Sequence, residues 1–138
     1  MPADDAIKPA VVAALTKDGW TITDDPLTLK YEDIAVGIDL GAERLLAAER
    51  GAERIAVEVK GFASNSAVRD YRDALGQYDL YRMVLEDIQP DRKLYLAVSE
   101  TGYRRLFGKR AIQRLSEKRP LPLVVIRVRS EEVLQWIG

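Results

Sequence analysis

A helical stripe bracketed by two strand-like runs constrains this chain more than any other feature of its sequence. Ile55-Ala56-Val57-Glu58-Val59-Lys60 alternates as a strand does. Behind the N-cap candidates Ser64-Asn65-Ser66, the residues Val68, Tyr71, Leu75, Tyr78, Val84 and Leu85 recur at helical spacing. Gln89-Pro90-Asp91 ends that helix, and Leu94 to Val98 is apolar enough for a buried strand. Such a succession requires a sheet with a helix laid across one face.

The flanking segments extend the pattern. Ile7, Val11, Ala14 and Leu15 mark an opening helix that Asp18-Gly19 stops. Trp20 to Thr23 and Leu27 to Tyr31 read as short strands around Asp24-Asp25-Pro26, and Ala35 to Leu40 as a firmer one, with Val36, Ile38 and Leu40 on one face and Gly37 and Asp39 on the other. Leu45 to Glu49 and Arg54 to Phe62 suggest a hairpin around Arg50-Gly51-Ala52, so the first half is expected to form a helix and an antiparallel meander of successive strands. Toward the end, Ala111 to Lys118 forms a second crossover helix. Pro120 and Pro122 lead into a strand from Leu123 to Val128, and Val133 to Ile137 closes the chain. The expected fold is α/β (α+β), in the order α-β-β-β-α-β-α-β, with a central mixed sheet flanked by helices. With 138 residues, 47% of them apolar, the chain suits a single domain over residues 1–138.

Composition narrows the chemistry. The chain contains neither cysteine nor histidine, which excludes disulfides, thiolate nucleophiles, Cys-type zinc sites and His-based triads. Any metal must be held by oxygen, a donor set that selects hard ions such as Mg²⁺ or Mn²⁺. No run approaches the roughly 20 apolar residues of a membrane span, and MPADDAIKPA lacks the features of a secretory signal, so no membrane association and a cytoplasmic location are expected. A net charge of −1 argues against bulk electrostatic coating of nucleic acid. Between Arg104 and Arg119, however, seven cations are opposed by Glu117 alone. That run is either a solvated face or a phosphate-contacting patch.

The concentrated chemistry lies on the strands. Alternation places Ile55, Val57 and Val59 on one face and Glu58 and Lys60 on the other. With Asp39 projecting from a neighbouring strand, two carboxylates and an amine reach one polar edge. Asp39, Glu58 and the Val59 carbonyl, completed by waters, match the oxygen shell that Mg²⁺ prefers. Such a centre suits phosphodiester hydrolysis, with Lys60 as the catalytic cation. The competing reading is a cross-strand ion pair on an exposed sheet face. Gln77 and Tyr81, four residues apart, share a helix face: either they support the site, through a metal water or Glu58 and through a phosphate, or Tyr81 packs in the core and Gln77 faces solvent.

Three longer motifs, Lys17-Asp18-Gly19-Trp20-Thr21-Ile22-Thr23-Asp24-Asp25-Pro26-Leu27, Ile38-Asp39-Leu40-Gly41-Ala42-Glu43 and Ile55-Ala56-Val57-Glu58-Val59-Lys60, resemble the XisH proteins, the fdxN element excision controlling factors of cyanobacteria. Ala74-Leu75-Gly76-Gln77-Tyr78 and Leu94-Tyr95-Leu96-Ala97-Val98 extend the similarity across most of the chain. The resemblance implies a restriction-endonuclease-like fold and a part in programmed DNA excision or rearrangement. It places Asp39, Glu58 and Lys60 on metal and catalytic positions, and likens Gln77 with Tyr81 to the Gln-x-x-x-Tyr motif of RecB-like members. Lys8 and Gly61 stand where the family often has histidine and serine. Asp5 is the nearest first-helix acid, and serves equally as an N-cap or first-turn charge.

Two functions are therefore expected in competition. One is a Mg²⁺- or Mn²⁺-dependent endodeoxyribonuclease-like protein; the other is a catalytically inactive regulatory protein that keeps the fold and binds DNA or a partner. The resemblance also suggests a small XisI-type partner and permits a homodimer.

Overall fold

The computed structural model describes residues 4–45 and 51–138, the first two of these by backbone alone. In chain order the elements are α1 (Asp4–Lys17), β1 (Thr21–Asp24), β2 (Leu27–Tyr31), β3 (Ile34–Ile38), β4 (Leu40–Leu45) and β5 (Ala52–Lys60). They continue with α2 (Ala67–Ile88), β6 (Arg92–Ser99), α3 (Glu100–Phe107), α4 (Arg110–Lys118), β7 (Leu123–Arg127) and β8 (Glu132–Ile137). A mixed six-stranded sheet runs β1-β4-β5-β6-β7-β8, parallel at β5-β6-β7 and antiparallel elsewhere, while β2 and β3 form a separate ribbon. The expected central mixed sheet flanked by helices is what forms. Among the described residues, no helix is long and apolar enough to cross a membrane.

The alternation in β5 divides the core. Ile55, Val57 and Val59 pack with Ile7, Val11 and Leu15 of α1. Ala56 faces the other way, into a core built with Tyr71, Ala74, Tyr78, Val84 and Leu85 of α2. Each large apolar side chain withdrawn from water contributes about 1.5–3 kcal/mol, so both sheet faces must stay covered. Ser66 starts α2 by accepting the Arg69 N–H at 3.2 Å, and Gln89 closes it by donating its N–H to the Leu85 carbonyl at 2.8 Å.

Four local expectations need correction. Ala35 to Leu40 is not one strand: the chain leaves the ribbon after Ile38, bends at Asp39 and enters the main sheet at Leu40. Ile38 therefore packs in the α2 core and Leu40 in the α1 core, although simple alternation puts them on one face. The segments around Asp24-Asp25-Pro26 do not pair, because β1 joins β4 and β2 joins β3. The first hairpin strand lies earlier than expected, with Leu45 paired to Ala52; residues 46–50 lie outside the described residues. Finally, α3 forms immediately after β6, where no helix is expected, as the Ser99 hydroxyl accepts the Gly102 N–H at 3.0 Å.

Candidate active site

The bend between ribbon and sheet creates the polar edge. Leu40 pairs with Val57, so a continued β4 would set Ile38 opposite Val59. Ile38 pairs with Leu27 instead, and the Asp39 side chain fills its place: the Val59 N–H donates to Asp39 Oδ2 at 2.8 Å. Reciprocally, the Asp39 N–H donates to Glu58 Oε1 at 3.2 Å. Each acid is thus oriented by a backbone amide of the segment that carries the other.

Glu58 is only 8% exposed. Burial, followed by the adjacent Asp39 carboxylate, pushes its carboxyl up to about 7, against partial relief from the Lys60 ammonium. Lys60 is half-buried at the end of the same strand, two residues on and therefore on the same face as Glu58. On α2, burial first and then the Glu58 and Asp39 carboxylates raise the Tyr81 hydroxyl, which puts that ring within their field. The Gln77 amide oxygen is buried and takes no hydrogen bond among the described residues. Asp39, Glu58, Lys60 and Tyr81 therefore converge. Gln77, one turn before Tyr81, is partly buried with its amide oxygen unpaired among the described residues, and Tyr81 itself is partly buried against the α2 core.

This donor set fits a hard divalent cation. Two adjacent carboxylates, one of them buried, form a site whose negative field a cation relieves. In an extended strand the N–H and C=O of one residue point to the same side, so the Val59 carbonyl faces the Asp39 edge beyond the last β4 partner. The orphaned Gln77 oxygen is an acceptor that a water proton satisfies. Among the described residues no third carboxylate joins the pair, and the Asp5 side chain lies outside them.

The basic run resolves into α3 and α4. Arg104 pairs with Glu100, Arg105 donates to the Ser64 carbonyl at 2.6 Å, and Arg119 pairs with Asp79.

One position that matters for the site escapes sequence reasoning. A Cβ at Gly102 would overlap the Gly61 carbonyl oxygen and sit 3.1 Å from Ser99 Oγ, so α3 approaches the end of β5 only because residue 102 is glycine. The available signal is Ser99 standing three residues before Gly102 at the end of a buried strand. Gly102→Ala is expected to destabilise the fold by about 1–3 kcal/mol, measured by urea unfolding, because α3 must move off Gly61. An unchanged midpoint would show that the approach is not tight.

Comparisons with known proteins agree with this architecture. The XisH protein family model matches residues 1–134. A crystal structure of an XisH family protein from Nostoc punctiforme superposes with a TM-score of 0.83 at 38% identity, covering 96% of this chain and 98% of that one. A second, an fdxN element excision controlling factor protein from Anabaena variabilis, superposes with a TM-score of 0.84 at 38% identity, covering 97% and 99%. No functionally curated protein matches the chain.

Proposed function

Because this chain belongs to the XisH family, we propose that it is a nuclease-type DNA-processing protein whose phosphodiesterase centre is Asp39, Glu58 and Lys60. The observation that carries this reading is the reciprocal Asp39–Glu58 arrangement, with Glu58 held near neutrality. The name of the Anabaena relative supports programmed excision of a DNA element as the setting. The expectation of a restriction-endonuclease-like ancestry belongs to this proposal too, and the mixed sheet with acids on one edge is compatible with it.

Asp39, Glu58 and the Val59 carbonyl would hold Mg²⁺ or Mn²⁺. When bound, that ion supplies an activated water and neutralises charge on the scissile phosphate. Lys60 places a compact positive charge beside the same edge, where charge develops on the phosphate oxygens in the transition state. Tyr81 presents its hydroxyl as a hydrogen-bond donor, and burial, then the neighbouring carboxylates, hold its proton more tightly than an ordinary phenol does. Gln77 offers its amide to orient a water or Glu58.

The test joins two measurements. Calorimetric titration with Mn²⁺ is expected to show one site that Asp39→Asn removes. With Mn²⁺ present, cleavage of supercoiled, linear or single-stranded DNA is expected to fall at least about a hundredfold in Lys60→Ala, while metal binding persists. Absence of both binding and cleavage in the wild-type protein refutes the proposal.

One observation favours a second reading: only two carboxylates meet among the described residues. A regulatory protein that retains the fold, paired with DNA or a XisI-type protein, would give metal binding without cleavage or neither. Co-purification with a co-expressed XisI-type protein supports that role.

A further inference from the structure

The basic run from Arg104 to Arg119 is the largest charge feature that the candidate site leaves unexplained. Two of its cations are paired with carboxylates, Arg104 with Glu100 and Arg119 with Asp79. Lys109, Arg110, Arg114 and Lys118 are exposed and form no ion pair among the described residues, although Glu117 stands on the same helix. Their arrangement disfavours α4 in isolation. Arg110, Arg114 and Lys118 follow at i, i+4 and i+8, so like charges are neighbours along the helix surface, and the first two point away from the buried Ile112. Lys109 and Arg110 stand at its amino end, where the dipole favours anions, and the first turn carries no acid. An external anion reverses both mismatches.

The size and place of this patch say which anion. Arg110 and Lys118 are about 12 Å apart along the helix axis, too far for one small ion to serve both. Duplex DNA carries one negative charge about every 1.7 Å of its length. The whole chain has a net charge of −1, so the surplus is local to this face. The patch is also fastened to the loop that follows the candidate catalytic strand. Gly102 of α3 lies against the Gly61 carbonyl, and Arg105 donates to the Ser64 carbonyl at 2.6 Å. Gly61 and Ser64 come one and four residues after Lys60. Between this loop and the α3–α4 elbow opens a cavity of about 410 Å³ whose polar side is formed by Ser64, Asn65, Ser66, Arg105 and Lys109, with Asp70 as its one carboxylate among the described residues. Lys109 thus joins that cavity to the row of cations on α4.

We propose that the α3–α4 elbow, through Lys109, Arg110 and Arg114, binds the phosphate backbone of duplex DNA and leads it to the edge that carries Asp39, Glu58 and Lys60. The inference rests on the proposed phosphodiesterase centre, because that centre is what makes a nucleic acid the polyanion to be held beside it. Contacts of this kind fix the position of a duplex and read none of its sequence. They act through counterion release, so their strength falls with salt.

Fluorescence anisotropy of a labelled duplex oligonucleotide tests this, with the full chain in EDTA so that no metal bridges protein and DNA. The wild-type protein is expected to bind at low salt. The double variant Lys109→Ala/Arg110→Ala is expected to bind at least about tenfold more weakly, and to reduce the slope of log affinity against log salt by about 2. Its melting temperature should not fall, since both side chains are exposed. Arg82→Glu makes the same change of two charges in the carboxyl-terminal half of α2, and is expected to leave binding within about twofold of wild type. Binding in EDTA does not involve the metal, so failure of the metal centre leaves this measurement intact. Conversely, DNA cleavage at the wild-type rate by the double variant, at subsaturating DNA, overturns the elbow alone. So does a wild-type protein that binds no duplex at low salt, a slope that the double variant leaves unchanged, an equal loss in Arg82→Glu, or a preference for anionic phospholipid vesicles over the duplex.

Discussion

Replacing Glu58 by glutamine is expected to stabilise the fold by about 2–3 kcal/mol near pH 8 and to leave it almost unchanged near pH 4. The Glu58 carboxyl is held at about 7, above its ordinary 4.5, because it is buried beside Asp39. The folded state therefore binds this proton more tightly than the unfolded chain does. Its contribution to stability is complete below the ordinary value and is lost as pH rises through about 7. Glutamine keeps an oxygen to accept the Asp39 N–H and carries no charge at any pH. In urea unfolding, the wild-type midpoint should fall between mildly acidic and mildly basic pH, whereas that of Glu58→Gln should stay nearly level over the same range. Parallel curves would mean that Glu58 is better solvated than its burial indicates. The same substitution should also abolish Mn²⁺ binding, which makes a residue that weakens the fold at neutral pH a functional one.

The largest loss of stability is expected far from that edge. Arg92 begins β6 with its side chain 2% exposed. One guanidinium nitrogen donates to the Ile55 carbonyl at 2.6 Å, Nε donates to Gln89 Oε1 at 2.7 Å, and Asp24 Oδ2 lies 3.6 Å away. The fit is tight enough to exclude a side chain from Gly41, where a Cβ would stand 2.9 Å from the guanidinium and 2.7 Å from Asp24 Oδ2. Arg92→Ala removes the cation, strands the Ile55 carbonyl and the Gln89 oxygen, and leaves a void where β1, β4, β5 and β6 meet. The expected cost is about 3–5 kcal/mol in chemical unfolding. Arg92→Lys retains the charge but not the planar fork, so it should recover only part of that loss. Because Arg92 sits at the amino end of β6 and the acids at the carboxyl end of β5, Mn²⁺ affinity of the folded fraction should not change. A loss below about 1 kcal/mol for Arg92→Ala would show that water replaces the guanidinium without penalty.

Much of this was readable from residues, and the failures have physical causes. The period-two pattern of Ile55 to Lys60 reported both faces of β5, and Tyr71, Tyr78, Val84 and Leu85 of the helical stripe reported the buried face of α2. Val68, the first residue of that stripe, is instead 72% exposed, and Leu75 is only partly buried. The break at Asp39 was invisible because Ile38 and Leu40 are both apolar and both buried, in different cores. Only tertiary placement separates them. Thr101 and Gly102 are poor helix formers that hid α3, and Gly102 is there for packing rather than propensity. The role of Arg92 is not legible in the sequence, which does not announce that the Ala42 and Ile55 carbonyls converge on it. For the candidate site, strand parity placed Glu58 and Lys60 on one face of β5, whereas Asp39 was picked out by residue type and resemblance, since the strand whose parity was assigned to it is broken at that residue. The mutual bracing of the acids by backbone amides belongs to the bend, and no pattern along the chain encodes it.

That bend gives the β2–β3 ribbon a mechanical meaning. Asp39 is at once one of the two connections between the ribbon and the main sheet and one of the two acids at its edge. Because Leu27, Leu29, Val36 and Ile38 anchor the ribbon in the α2 core, the position of the Asp39 carboxylate depends on how that ribbon is packed. The geometry of the acid pair is thus set as much by apolar contacts of the ribbon as by the strand that carries Glu58.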